Sequence, residues 1–410
     1  MQTPIPDQST QVLKQRYSGL HPGTLALAYV LTVIFWTTLM PFDFRPGSPQ
    51  IVLVMPDLFD LVGNIIMFLP VGFFVGWRSR AGIRRSLLEA TLIGLLASGS
   101  IETAQMWLPS RFTGPSDLLT NILGSVLGCL VYAGISRFSE RRISGGLLLD
   151  LPMVVFLYLL TPLMWLAAVT AIIFGGYLIK ALVLALASAW IIAAVWHYRL
   201  AGQMPAWVLA VLWLLWLGVA LMPLVFLNDY LYFGGLGALL LTAISRGLYL
   251  RMAQRTERRF EAATLFWVWP CFALYLLALP FPDGLPRSWN ADLAFSLGLP
   301  FDRLGRWQAL ALLEHIAAFA VLGFLLGQTR GRRDDDSRMP LLVATLIAIG
   351  ISIAIEALHG FQFGNRASGL RCLLGAGSAA YGVALYRTQV RWVRHLLSPG
   401  MRARGHTLSG

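Results

Sequence analysis

The feature that most limits what this chain can fold into is its series of apolar blocks. Each is about 18–24 residues long, enough to cross a ~30 Å hydrocarbon layer as a helix. They recur from residue 24 to residue 386 with few polar breaks, and none shows the strict alternation of a membrane β-strand. Only 13% of the residues are charged, against about 25% in ordinary soluble domains. The pattern predicts an all-α polytopic membrane protein. Its spans fall at 24–41, 59–77, 87–107, 118–135, 148–171, 175–196, 206–227, 231–250, 262–280, 309–328, 340–358 and 369–386. The first run is too long and too aromatic for a cleavable signal, so it reads as a span. The region 148–196, with Pro152, Pro162 and Gly175–Gly176, divides either into two spans or into a span and a re-entrant piece.

The formal charge of +12 is orientation charge rather than a nucleic-acid footprint. Arginines cluster in every second loop: Arg78, Arg80, Arg84 and Arg85; Arg137, Arg141 and Arg142; Arg251, Arg255, Arg258 and Arg259; Arg330, Arg332, Arg333 and Arg338. The alternate loops are acidic or nearly neutral, with Asp43, Asp57, Asp229, Asp283 and Asp292. The positive-inside rule then sets both termini in the cytoplasm. Cys129, Cys271 and Cys372 have no metal or redox spacing. No phosphate-cradling glycine loop or dinucleotide fingerprint occurs, so no cofactor and no metal are expected.

An internal repeat is visible. Leu39-Met40-Pro41-Phe42 is echoed by Ala278-Leu279-Pro280-Phe281, and Asn64-x3-Phe68-x3-Gly72-Phe73 by His315-x3-Phe319-x3-Gly323-Phe324. Glu102 and a loop with Arg111 are echoed by Glu356 and Arg366, with Gly124 and Gly375 on the helix that follows. The first helix of each copy runs in the same direction, so the repeat is a parallel pair of four-helix units. The expected organisation is a tail at 1–23, a four-helix domain at 24–140, a middle four-helix block at 141–260, a second, degenerate copy at 261–390, and a tail at 391–410.

The candidate site lies in the first copy. Glu102 and Gln105 share a helical face, as do Asp60 and Asn64, and Asp117 and Asn121. Gly124 and Gly128 continue the last stripe with the small-residue spacing that lets helices approach closely. All these polar residues fall within about two turns of the external membrane face, with Arg111 in the short loop between them. Glu102 or Asp117 can serve as acid or base and Arg111 can hold an anionic group. The same residues serve equally as a hydrogen-bonded staple between three helices. In the second copy, Glu314, His315, Glu356, His359, Gln362, Asn365 and Arg366 fall near the same face. Packing and hydrogen bonding are the plainer roles for His315 and His359. Lys180 sits near the outer end of its span, where its stem can snorkel.

Residues about 28–135 resemble a VanZ-like domain. The resemblance rests on Pro41-Phe42, Asp60-x3-Asn64-x3-Phe68-x-Pro70-x-Gly72, Glu102-x2-Gln105, Pro109-x-Arg111 and Asp117-x3-Asn121-x2-Gly124-x3-Gly128. Residues about 265–386 resemble a degraded second copy, with His315 at the Asn64 position. The resemblance implies an envelope membrane protein. A named member of that family is associated with low-level resistance to the glycopeptide teicoplanin, and most relatives have no assigned activity. Three functions are expected to compete. The first is binding or processing a lipid-linked glycan, a glycopeptide-like molecule or another amphipathic ligand at the outer face. The second is transport or lipid flipping, and the third a non-catalytic scaffold. Membrane lipids are expected partners and nucleic acid is not.

Overall fold

A computed structural model of the chain describes residues 19–40, 42–45, 58–79, 82–109, 114–142, 152–173, 178–195, 206–221, 257–279, 291–292, 306–331, 341–361 and 367–396. The described residues are almost wholly helical. In chain order the helices are α1 (Pro22–Leu39), α2 (Leu58–Arg78), α3 (Ile83–Gln105), α4 (Pro115–Arg142), α5 (Pro152–Ile173), α6 (Leu178–Val195) and α7 (Ala206–Ala220). Then come α8 (Glu257–Ala278), α9 (Arg306–Gly331), α10 (Leu341–His359) and α11 (Gly369–Leu396). A parallel bridge joins β1 (Ala291–Asp292) to β2 (Ala367–Ser368).

Seven of the described helices (α1 to α5, α9 and α10) are long and apolar enough to cross a membrane, and shorter apolar stretches lie in α6 and α8. The protein is therefore a multi-pass membrane protein. The segment 148–196 divides into α5 and α6. The expected span at 231–250 lies outside the described residues.

The helices turn large apolar side chains outward along their length. On α3 these are Leu88, Leu92 and Leu96; on α4, Leu119, Leu123 and Leu127; on α10, Leu342, Leu346 and Ile353. In water such stripes would be a liability, whereas against lipid tails they cost nothing. The interior is packed by aromatics and small residues. Phe73 sits between α4 and α5, with ring centroids 5.6 Å from Tyr132 and 5.5 Å from Tyr158.

Close approach between helices is fixed by glycine. A Cβ on Gly128 of α4 would run into the Leu69 carbonyl oxygen of α2, and one on Gly382 of α11 into the Ala320 carbonyl oxygen of α9. The α2–α4 and α9–α11 pairs are built alike: Gly76 faces the Tyr132 ring, and Gly327 faces the Tyr386 ring.

Helix α1 ties the two ends of the chain to the middle. Trp36 Nε1 donates to the Ala309 carbonyl on α9 at 2.9 Å, Tyr381 OH on α11 donates to the Leu25 carbonyl at 2.5 Å, and Tyr29 OH reaches the Leu159 carbonyl on α5 at 3.5 Å. Past its C-terminus, Phe42 adopts a left-handed conformation (φ 65°). That conformation is costly for an aromatic residue. The Phe42 ring packs edge-on against Trp36, with centroids 5.1 Å apart.

Charge is divided between the two ends of the bundle. On α2, Asp60 and Asn64 are near the N-terminus and Arg78 closes the C-terminus; on α3, Arg84 and Arg85 open the helix and Glu102 is in its last turn. On α4, Asp117 is in the first turn and Arg142 ends the helix. At 1.5 Å per residue, Glu102 and Arg85 are about 25 Å apart along the helix axis.

Candidate functional site

Three helix ends meet at the end of α2–α4 opposite Arg78, Arg85 and Arg142. The N-terminus of α2, the C-terminus of α3 and the N-terminus of α4 each present a polar side chain to the seam between them. Asn64 Nδ2 donates to Asp117 Oδ1 at 2.9 Å, joining α2 to α4. Glu102 Oε2 accepts the backbone N–H of Gly114, the residue before α4, at 3.3 Å. One turn deeper, Asn121 Nδ2 donates to Ser98 Oγ at 2.9 Å, and both residues are buried. Among the described residues, Asn121 Oδ1 has no hydrogen-bond partner. Glu102, Asp117 and Asn64 are half-buried, while Asp60 is exposed at the rim.

The structure therefore brings together Asn64, Glu102, Asp117 and Asn121, with Asp60 at the edge. Gln105 plays a different part. Its Nε2 donates to the Thr38 carbonyl at 2.9 Å, pinning the end of α3 to the end of α1. Gly124 and Gly128 lie behind the seam, where a Cβ would meet the carbonyl oxygens of Ile65 and Leu69. Arg111 lies outside the described residues.

At the same end of the bundle, α9, α10 and α11 form a second polar seam. Glu356 Oε2 accepts the Ser368 backbone N–H at 2.8 Å, across the same twelve-residue interval that separates Glu102 from Gly114. Counting on from those amides, Asp117 of α4 corresponds to Arg371 of α11, and Asn121 corresponds to Gly375. Arg371 closes on Glu356 through Nε at 2.9 Å and Nη2 at 2.8 Å. His359 Nδ1 lies 3.1 Å from Glu356 Oε1. Glu356 thus has three partners, and it is only 3% exposed.

Gly375 therefore sits where α4 has Asn121, not where it has Gly124. The space left by its missing side chain is filled by His315, whose Nε2 is 3.3 Å from Ser352 Oγ. In the first seam Ser98 is bonded from α4; in the second, Ser352 is bonded from α9. Arg366, with Gln362 and Asn365, lies outside the described residues.

Sequence reading missed two partnerships. Nothing in the sequence pattern pairs Arg371 with Glu356. Lys180 does not snorkel: it is buried at 4% exposure, with Nζ 3.2 Å and 3.3 Å from the two carboxylate oxygens of Glu314. Tyr275 OH donates to Glu314 Oε1 at 2.9 Å, so α6, α8 and α9 meet in one polar knot. Glu314 thus turns away from the Glu356 group toward the middle of the chain. A long basic side chain at a span end normally reaches for water, but a buried carboxylate and a phenol together offer it a closer partner. Among the described residues, no group of three or more His, Cys, Asp or Glu side chains has the arrangement of a metal site. The described cysteines are all free thiols.

Residues 7–138 match the VanZ/LLP1 family. That segment contains the whole first seam, from Asn64 to Asn121. No curated protein and no solved structure matches the chain.

Proposed function

We infer that this is a bacterial cell-envelope membrane protein that binds or processes a lipid-linked glycan or another amphipathic ligand at its external face. The observation that carries this reading is the seam of Asn64, Glu102, Asp117 and Asn121 at the end of α2–α4 opposite Arg78, Arg84, Arg85 and Arg142. Arginine-rich ends stay in the cytoplasm, so the seam faces outward. Its residues are only half-buried at the rim, and polar groups placed at membrane depth are costly enough to point to function. Arg111, between α3 and α4 in the sequence, is the expected clamp for an anionic headgroup.

The wider organisation follows the same reading. Twelve spans, an inner-membrane location, cytoplasmic termini and a duplicated four-helix unit account together for the loop charges. The matched glycine contacts of α2–α4 and α9–α11, and the equal Glu102–Gly114 and Glu356–Ser368 intervals, support the duplication. In this view the second copy is a scaffold, because Arg371 and His359 already occupy its carboxylate.

The test is native mass spectrometry of lipids retained by the purified chain, run beside Arg111→Ala, Glu102→Gln and Asp117→Asn. One enriched glycolipid or polyprenyl-linked species, lost in the variants at normal protein levels, is the expected result. Bulk phospholipid alone in every sample would move the assignment to a scaffold.

A second reading, transport or lipid flipping, is favoured by one observation: the buried Lys180–Glu314 pair. Ionisable pairs within membrane bundles mark translocation paths in many transporters. Lipid-flipping or counterflow in proteoliposomes, abolished by Glu314→Gln, would establish it.

A further inference from the structure

The two seams treat the same carboxylate in opposite ways. In the second, Glu356 is bound by a guanidinium that comes from the third residue after the amide it accepts. In the first, the third residue after the Gly114 amide is Asp117, so the cation is replaced by an acid. Among the described residues, Glu102 receives only that backbone N–H, and Asp117 only the Asn64 amide on its side chain. No cationic side chain of the described residues touches either carboxylate. Directly beneath them, the 3%-exposed Asn121 leaves its Oδ1 unpartnered. Two carboxylates and a buried amide oxygen thus face one seam as acceptors with few donors to meet them.

We propose that the Asn64–Glu102–Asp117–Asn121 seam binds a cationic, N–H-rich group, a primary ammonium or a guanidinium, carried by an amphipathic ligand, in the place that Arg371 fills in the second seam. The proposal rests on the reading of this seam as the ligand site and adds the charge class of the group that enters it, a cationic group separate from the anionic one expected at Arg111. The chain itself supplies the precedent. With a carboxylate at the end of the middle helix and an amide at the start of the next, the bundle holds a guanidinium through two nitrogens. Such charge-assisted, two-pronged bonding is strong and directional. It favours an N–H donor over a quaternary ammonium, which brings charge without hydrogen bonds. Divalent cations are a poorer match, since no triad of acidic, histidine or cysteine ligands forms among the described residues.

The experiment titrates the intact chain, in dodecyl maltoside, with dodecylguanidinium, dodecyltrimethylammonium and dodecyl sulfate. Bound molecules are counted by native mass spectrometry, with calcium and zinc chloride as separate arms. Dodecylguanidinium is expected to bind most tightly. Glu102→Gln and Asp117→Arg should each weaken it about tenfold or more, the second by supplying the guanidinium from within the chain. Asp117→Asn keeps the test open if Asp117→Arg does not fold. Equal dodecylguanidinium affinity in wild type and folded Glu102→Gln overturns the proposal. So does preferential binding of dodecyl sulfate, or a metal ion that binds in a Glu102-dependent way while dodecylguanidinium does not. An enriched envelope lipid that depends on Glu102, found without any preference for dodecylguanidinium, sinks this inference and leaves the ligand-site reading standing. Glu102-dependent dodecylguanidinium binding with no enriched lipid supports this inference and removes the lipid-linked glycan as the ligand of the site.

Discussion

Arg371 grips Glu356 through both Nε and Nη2, at 2.9 Å and 2.8 Å, where α10 ends and α11 begins. The contact joins two helices at a carboxylate that is 3% exposed. Removing one member of such a pair leaves a buried charge, which costs far more than the pair contributes.

Arg371→Ala is therefore expected to lower stability by about 3 kcal/mol, because the buried carboxylate loses both guanidinium contacts and keeps only His359 and the Ser368 amide. Adding Glu356→Gln should restore much of that loss, giving a coupling energy above about 1 kcal/mol in a double-mutant cycle. Thermal unfolding in detergent measures both. Additive losses would show that the two side chains act independently.

The knot of Lys180, Glu314 and Tyr275 gives a parallel expectation. Lys180→Met strands the Glu314 carboxylate among α6, α8 and α9 and should destabilise by about 3–5 kcal/mol. Lys180→Met with Glu314→Gln removes both charges and should fall within about 1 kcal/mol of wild type. If the double variant unfolds as readily as the single one, the pair is not what holds these helices together. Where stability is regained, loss of lipid flipping in the double variant would be a functional effect.

How much of this was readable in the sequence differs by level. Helix positions were, because lipid demands continuous apolar runs: α2 at Leu58–Arg78 and α9 at Arg306–Gly331 fall on expected spans. The first seam was also accessible, since i, i+4 spacing fixes the shared faces of Asp117 and Asn121 before any packing is known. Side-chain partnerships across long separations were not. Lys180 and Glu314 lie 134 residues apart, and nothing local to either marks the other. Matching Gly375 to Gly124 failed for a related reason. Glycines align by type, whereas the register between helices is set by which amide each glutamate accepts.

Within the first seam, two neighbouring residues should separate cleanly. Gln105→Leu breaks the bond to the half-buried Thr38 carbonyl, for an expected loss of about 1 kcal/mol with ligand retention unchanged. Glu102→Gln keeps the shape of the side chain and should leave the melting temperature near wild type while removing retained ligand. Unfolding curves and native mass spectrometry on the same preparations check both. Equal destabilisation by the two variants would make the seam a staple.

Gly128→Ala places a methyl group against the Leu69 carbonyl oxygen and forces α2 and α4 apart. The expected cost is about 1–3 kcal/mol. Gly63→Ala is the matched control, since nothing lies within 4 Å of a Cβ there. It should be neutral or stabilise by up to about 1 kcal/mol through reduced chain entropy. A neutral Gly128→Ala would mean that the helix pair is looser than its backbone contact implies.

The orientation of the whole bundle can be tested without any ligand. Leu20, just before α1, is 54% exposed, and the Arg45 side chain, beyond its other end, is 69% exposed. With Cys129, Cys271 and Cys372 replaced by serine, single cysteines at these two positions report the two faces separately. A membrane-impermeant maleimide added to intact spheroplasts should label Arg45→Cys and spare Leu20→Cys, with both labelled after lysis. The physical basis is that translocating an arginine-rich loop is disfavoured, so the ends holding Arg78, Arg85 and Arg142 stay inside. Arg45 is an isolated basic residue on the other face, and its ion pair with Asp43 at 2.9 Å leaves that loop little net charge. The reverse labelling pattern would put the Glu102–Asp117 seam in the cytoplasm, and would remove the basis for an external ligand altogether.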